Sequence, residues 1–144
     1  MFDHILVPYD GSPNSDHALT LAIELAKRFS AALELISVSP IVVPVTGIPS
    51  SAPLSEQETR MFREILARGR QKAVKAGVVT VTTTFREGNV VEELLNHVEH
   101  AKPELVVIGA RGLSRFRRLV LGSVSTALVQ HLRVPVLVDH LPPE

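Results

Sequence analysis

The sequence has 144 residues, the length of one domain, and its 15 basic and 15 acidic residues cancel, so no overall field recruits nucleic acid or a membrane surface. It contains no cysteine, which excludes disulfides, thiol catalysis and zinc–thiolate sites. The hydrophobic content is an ordinary 45%. No apolar run is long enough to span a membrane, and a strand begins soon after Met1. We therefore expect one cytoplasmic domain over residues 1–144 without a signal peptide.

Alternating strand and helix patterns run along the whole chain, beginning with a short apolar strand. That strand is predicted at residues 5–7 and is ended by Pro8. Ser12 followed by Pro13 predicts a helix start, because proline suits the first helical position and the apolar residues that follow recur at i, i+3 and i+4. A second apolar strand is predicted at residues 33–38.

The middle of the chain is a proline-rich segment followed by a long amphipathic pattern. Residues 40–54 carry four prolines and a glycine, which predicts a long surface loop serving as a lid or partner surface, with disorder as the alternative. Ser55 and Glu58 form a capping-box pattern for a helix of about 20 residues that ends at Gly77. A strand rich in valine and threonine is predicted over residues 78–85.

The last third of the chain repeats the alternation. Asn89 and Glu92 predict the start of a third helix. A buried strand is predicted at residues 105–109, which are apolar, β-branched and bounded by proline and glycine. A fourth helix is predicted over residues 123–132 and a fifth strand over residues 136–138.

Five strands alternating with four helices predict an α/β fold, a parallel sheet with helices on both faces and right-handed crossovers. Ligands of such folds bind beyond the carboxyl ends of the strands, where the strand order reverses. Three informative segments follow strands or end them, at residues 8–12, 37–38 and 109–112. They converge if the first and fourth strands are neighbours.

The most informative segment is GARGLSRFRRLVLGSVS, at residues 109–125. Gly109 and Gly112 permit a tight turn and a close backbone approach to a ligand. Gly122 and Ser123 open a helix whose first N–H groups are unsatisfied and lie at the positive end of the helix dipole. Two glycine turns beside a helix N-terminus favour phosphate binding. The alternative is a connection capped by Ser123 that binds nothing.

Other motifs narrow the chemistry. Neither GxxxxGK[ST] nor GxGxxG occurs, which disfavours a typical NTPase or dinucleotide enzyme. Asp10 could bind a ribose hydroxyl or a magnesium ion, or it could cap the first helix together with Ser12. Four arginines within eight residues suit a polyphosphate better than a neutral ligand, although a solvated basic loop is the alternative. They are Arg111, Arg115, Arg117 and Arg118.

The histidines and serines predict no metal site and no catalytic set. Glu93, His97 and His100 share one helix face, but no further ligand cluster supports them, so solvated surface is favoured over metal binding. Ser12 and Ser123 are better explained as helix caps than as nucleophiles.

Four segments together resemble the universal stress protein family over essentially the whole chain. Three of these segments of the chain resemble the start, the third helix and the end of family members. They are FDHILVPYDGSPNSDHAL, EGNVVEEL and VSTALVQHLRVPVLVD, respectively. The segment after the fourth strand matches the family's nucleotide-binding signature of Gly, two residues, Gly, nine residues, Gly and Ser/Thr. This spacing is that of the ATP-binding subgroup.

The resemblance implies an open, Rossmann-like sheet of order 3-2-1-4-5, a homodimer paired through the fifth strands, and ATP, alone or with Mg²⁺, at the switch point. Pro8 and Asp10 would border the ribose and base, and Val38 would meet adenine through its backbone. The residues that would lie along the ribose and phosphates are Gly109, Ala110, Arg111 and Gly112. Holding the phosphates would be Gly122, Ser123, Val124 and Ser125. Arg111 and Arg115 occupy positions that the family varies.

The resemblance therefore predicts an ATP-binding regulator of the stress response with little or no turnover. One alternative is a slow ATPase or self-phosphorylating enzyme, for which Asp10 is the candidate carboxylate but no P-loop lysine is present. Another is a non-enzymatic dimeric interaction module with a vestigial pocket, against which the intact glycines argue. The expected partners are a nucleotide and a second copy of the chain, with no nucleic acid and no membrane.

Overall fold

The computed structural model describes residues 1–40, 56–110 and 122–142 of the chain. Strands and helices alternate through these ranges as the sequence predicts. In chain order, the elements are β1 (His4–Pro8), α1 (Pro13–Phe29), β2 (Ala32–Pro40), α2 (Glu56–Lys75), β3 (Val81–Gly88), α3 (Val90–Ala101), β4 (Leu105–Gly109), α4 (Ser123–His131) and β5 (Val136–Asp139). The predicted loop after Pro40 and the predicted cap at Ser55 lie outside the described residues.

All of these strands form one parallel sheet in the order β3-β2-β1-β4-β5, which confirms the order that the family resemblance implies. Pro8 at the end of β1 lies opposite Ile36 of β2, and Leu6 lies opposite Val106 of β4. The chain leaves β1 toward β2 and later returns to place β4 on the other side. The strand order therefore reverses between β1 and β4, and a crevice is expected beyond their carboxyl ends.

Helices cover both faces of the sheet, so apolar side chains are buried on each face. Ile5 and Val7 point into a cluster shared with α1 and α2, whereas Leu6 points into a second cluster shared with α3 and α4. All three are at most 1% exposed, and burying each such side chain contributes roughly 1.5–3 kcal/mol. None of the helices in the described part of the chain is long and apolar enough to cross a membrane.

The third strand begins at Val81 rather than at Val78, because Gly77 and Val78 take part in the C-terminal hydrogen bonding of α2. Gly77 has a φ of +105°, and the Val78 N–H donates to the Ala73 carbonyl at 3.1 Å. Such a bond, reaching back over a glycine with positive φ, is typical of a helix C-terminus. The apolar character of Val78 therefore reflects the end of a helix and not the start of a strand. In contrast, β2 extends past its predicted end to Pro40.

Two predicted helix caps are confirmed and a third is wrong. The side chains of Ser12 and Asn89 accept hydrogen bonds from the N–H three residues later, at 3.2 and 3.0 Å. At α4, however, the N-cap is Gly122, and Ser123 is already the first helical residue. Serine is preferred to glycine at N-cap positions, although glycine is accepted there, so the local preference pointed one residue too far along the chain.

A charged cluster lies where α3 covers β2, and it contains His97, for which solvated surface is the prediction from the sequence. That prediction is wrong, because His97 Nε2 lies 2.8 Å from Glu34 Oε2 and its side chain is only 10% exposed. Glu34 also lies 3.0 Å from His4 Nε2 and accepts a hydrogen bond from the Thr84 hydroxyl at 2.7 Å. Burial alone would raise the pKa of Glu34, but the hydrogen bonds from His4 and Thr84 and the charge of His97 lower that pKa to about 2.

Candidate functional site

The candidate site lies where β1 and β4 end side by side. β1 ends at Pro8 and β4 at Gly109, and the helix that follows each strand begins at this edge of the sheet. The two ends of the glycine segment meet here, because the Gly122 N–H donates to the Ala110 carbonyl at 2.7 Å. The part of the predicted site outside the described residues consists of Arg111, Gly112 and Arg115.

The N-terminus of α4 differs from those of α1 and α3 in having no side-chain cap. Gly122 has extended backbone angles at the N-cap and makes no side-chain hydrogen bond to the helix, whereas α1 and α3 are each capped by a polar side chain. Among the residues that the structure describes, no capping side chain therefore takes up the N–H groups of the first turn of α4. Together with the positive end of the helix dipole, they offer a binding place for an anion.

Ser125 joins this helix to the end of β4. The residue is 2% exposed, and its hydroxyl lies 2.9 Å from the Ala110 carbonyl and 3.1 Å from the Gly122 carbonyl. A hydroxyl has one proton to donate, so the proton of Ser125 is directed to main-chain oxygen. Ser123, in contrast, is exposed at the start of the helix.

Gly109 is explained by helix packing. A Cβ added at this residue would lie 3.0 Å from the backbone carbon, the carbonyl oxygen and the Cβ of Asn14. The first turn of α1 therefore rests against the end of β4, and a side chain there would push the two apart. The close backbone approach that the sequence predicts at Gly109 is made by α1, and this contact sets the distance between two walls of the site.

Asp10 is exposed and organises the turn before α1. Its Oδ1 accepts hydrogen bonds from the Ser12 N–H and the Ser15 hydroxyl, each at 2.9 Å. The turn uses Gly11 with a φ of +79°, a conformation that favours glycine. Asp10 thus supports the capping residue Ser12 and does not itself bond the first helical N–H groups. Within the three described ranges, no group of three or more His, Asp or Glu side chains is arranged to hold a metal ion.

The backbone of Val38 faces the same edge. The Tyr9 N–H donates to the Ile36 carbonyl at 2.8 Å, so the backbone groups of Ile36 face β1. Successive residues of a strand within a parallel sheet direct these groups to alternate sides, so those of Val38 face the β1 side as well. Because β1 ends at Pro8, the backbone of Val38 is directed past the end of that strand.

A histidine–carboxylate pair also lies at this edge, and no local pattern in the sequence indicates it. His17 Nδ1 of α1 is 2.5 Å from Asp139 Oδ2 at the end of β5, and the Ala110 N–H donates to the Asp139 carbonyl at 2.8 Å. The two partners are 122 positions apart, so only the assembled sheet brings them together. The one available signal is a carboxylate directly after the last apolar strand.

The fold and this site define a doubly wound α/β protein whose candidate ligand site lies at the switch point of the sheet, beside an uncapped helix N-terminus. Residues 1–140 match the model of the Universal stress protein family. The chain belongs to that family.

Known relatives cover nearly all of the chain. Universal stress protein YxiE of Bacillus subtilis (strain 168) is 33% identical, over 96% of this chain and 99% of YxiE. A universal stress protein solved in complex with cAMP shares the fold, with a TM-score of 0.75 and 23% identity over 98% of this chain and 99% of that one. The universal stress protein of Archaeoglobus fulgidus in complex with dAMP has a TM-score of 0.71 and 13% identity, over 96% and 97%.

Proposed function

We propose that this protein binds ATP at the crevice between β1 and β4 and acts in the cytoplasm as a nucleotide-dependent regulator of the stress response. The observation that carries the proposal is the N-terminus of α4, which is uncapped and joined to the end of β4 through Gly122 and Ala110. Membership of the universal stress protein family supports it, as do the structural neighbours that were solved with cAMP and dAMP.

The phosphates would lie against the first turn of α4. Backbone N–H groups and the helix dipole attract the phosphate charge there, an effect worth about 0.3–1 kcal/mol at an exposed helix end and up to about 2 kcal/mol in a partly buried one. Ser123 would donate its exposed hydroxyl, whereas Ser125 would contribute through its N–H, because its hydroxyl proton is directed to main-chain oxygen. The residues proposed along the ribose and phosphates are Gly109, Ala110, Arg111, Gly112, Arg115, Gly122, Ser123, Val124 and Ser125.

The base would be recognised by backbone groups. The N–H and C=O of Val38 match the ring-nitrogen acceptor and exocyclic amine donor of adenine, whereas guanine presents the opposite pattern. Pro8 and Asp10 would border the base and ribose. Because an unpaired buried polar group costs roughly 1–3 kcal/mol, ATP should bind at least about tenfold more tightly than GTP.

Little or no turnover is expected, because the carboxylates described at this edge already have partners. Asp10 Oδ1 bonds the turn before α1, and Asp139 is paired with His17. Turnover needs a positioned base or water-orienting group and usually a metal, whereas the hydrogen bonds of both carboxylates orient parts of the fold. The slow ATPase therefore remains the second candidate, with Mg²⁺ as its expected co-ligand.

The test is Gly122→Val, studied by calorimetric titration with ATP. The valine side chain would stand beside the N–H groups of α4 and should weaken ATP binding at least about tenfold, the equivalent of about 1.4 kcal/mol. Gly122 has a φ of −61°, which valine accepts, so the fold should survive. Mass spectrometry of nucleotide released from the purified wild-type protein identifies the natural ligand.

Asn89→Val is the matched control. It also places valine at a helix N-cap and costs about 1 kcal/mol of stability, but it lies at α3, away from the proposed phosphate site. ATP affinity should be unchanged in this variant. A folded Gly122→Val protein that binds ATP as tightly as the wild type would contradict the proposed function.

A further inference from the structure

The hydrogen-bond ladder between β1 and β2 ends in an unusual way. After the bond from the Tyr9 N–H to the Ile36 carbonyl, the next step of a regular parallel ladder would run from the Val38 N–H to the Tyr9 carbonyl. Instead, the hydroxyl of Ser37 donates to the Tyr9 carbonyl. Among the described residues, no backbone N–H donates to that oxygen.

Ser37 and Tyr9 are both held firmly in place. Ser37 is 2% exposed and Tyr9 is 6% exposed, and the Tyr9 hydroxyl donates to Asp16 Oδ1 at 2.5 Å. The ring also fills the space beside Gly69, where an added Cβ would lie 2.8 Å from Tyr9 Cε1. A carbonyl oxygen can accept two hydrogen bonds, so the contact acts through direction. Ser37 shares the sheet face of Leu33 and Leu35, and its hydroxyl holds the Tyr9 carbonyl toward that face, out of line with the Val38 N–H.

We propose that Ser37 is a positioning residue for base recognition: by holding the Tyr9 carbonyl out of line with the ladder, it leaves the Val38 N–H directed into the crevice beside the Val38 carbonyl. The pair then presents one donor and one acceptor to a 6-aminopurine. This inference rests on the proposed function, because it concerns the same nucleotide site. It adds a specificity-determining side chain that touches no ligand.

The test compares Ser37→Ala with the wild type by competition against a fluorescent ATP analogue. Without the hydroxyl, the Val38 N–H should take the Tyr9 carbonyl. The affinities for adenosine, AMP and ATP should then fall by one common factor, roughly two- to tenfold, the range expected for one neutral hydrogen bond. The preference for ATP over GTP should fall by a similar factor, and inorganic tripolyphosphate should compete as it does with the wild type.

Ser125→Ala is the matched control, since it also removes a buried serine hydroxyl that donates to the carbonyl at the end of a central strand. Ser125→Ala keeps the backbone N–H but removes the bond that fixes the first turn of α4 to the Ala110 carbonyl. It should therefore show the opposite profile, with weaker tripolyphosphate and ATP binding and unchanged adenosine binding. Equal losses for adenosine and tripolyphosphate in Ser37→Ala would indicate general damage and overturn the positioning role. If that variant does not fold, Ser37→Cys keeps the volume with a weak donor and should change the affinities in the same direction.

Amide hydrogen exchange gives an independent readout without nucleotide. The Val38 N–H should exchange fast in the wild type and become protected in Ser37→Ala, because it then joins the ladder. A protected Val38 N–H in the wild type, or an unchanged ATP-to-GTP ratio in the variant, would overturn the role of Ser37 while leaving ATP binding intact. Failure of the wild type to bind any adenine nucleotide would instead overturn the proposed function itself.

Discussion

Replacing Glu34 with glutamine should destabilise the protein at neutral pH and remove one component of its acid unfolding. Glu34 is 7% exposed and accepts hydrogen bonds from the side chains of His4, His97 and Thr84, which lie on three different elements. Glutamine keeps the size of the side chain but loses the charge, and its amide group presents donors to partners that are themselves donors. The substitution therefore breaks the cluster without leaving a cavity.

The magnitude follows from the pKa of Glu34, which folding lowers from 4.5 to about 2. At about 1.4 kcal/mol per pH unit, this difference corresponds to about 3 kcal/mol of folding free energy. Because the pKa is lower in the folded protein than in the unfolded chain, ionised Glu34 stabilises the fold above pH 4.5. That contribution is lost progressively as the pH falls from 4.5 toward 2.

Urea unfolding followed by circular dichroism, between neutral pH and about pH 2, measures both effects. At neutral pH, Glu34→Gln should lower the unfolding free energy by about 3 kcal/mol, and the gap from the wild type should close below pH 4.5. Glu99→Gln, an exposed carboxylate on α3, is the control and should follow the wild type. A constant gap over the whole pH range, or a neutral-pH loss under about 1 kcal/mol, would refute the reasoning.

Two further predictions concern the edge of the sheet and the packing of the site. Gly109→Ala should lower the unfolding free energy by roughly 1–3 kcal/mol and weaken ATP binding, because the new Cβ would press on Asn14; thermal unfolding and calorimetry check this, and an unchanged melting temperature would contradict it. We also propose a homodimer through β5, a short edge strand whose residues are all partly exposed. Light scattering at micromolar concentration should report a dimer, and a monomer would rule out the proposed pairing.

The order of the elements could be predicted because each carries a local signal. Apolar, β-branched runs indicate the central strands, because both faces of those strands are buried. Ser12 and Asn89 indicate helix starts, because their side chains can cap a helix. The order of the strands has no such local signal, and it came from the family resemblance. The start of α4 at Ser123 was predicted, but its cap was not, because serine is the preferred N-cap residue and the neighbouring Gly122 takes that position.

Several polar contacts of the fold and of the candidate site are long-range, which explains why the sequence did not reveal them. Glu34 meets a histidine 63 positions away, and His17 meets a carboxylate 122 positions away. Gly109 is a similar case, because its glycine signal is genuine but the backbone that approaches it belongs to α1. Periodicity shows which face of a helix is buried, but it does not show which polar residue of the strand or helix packed against that face will be contacted.

The Ala110 carbonyl accepts hydrogen bonds from both the Gly122 N–H and the Ser125 hydroxyl. These two hydrogen bonds join the end of β4 to the start of α4 without any contribution from the residues between them. Eleven residues, 111–121, connect two points that are already fastened to each other. Because doubling the length of chain between two fixed points costs only about 0.6 kcal/mol, we expect insertions within residues 111–121 to leave the strand end and the helix start undisturbed.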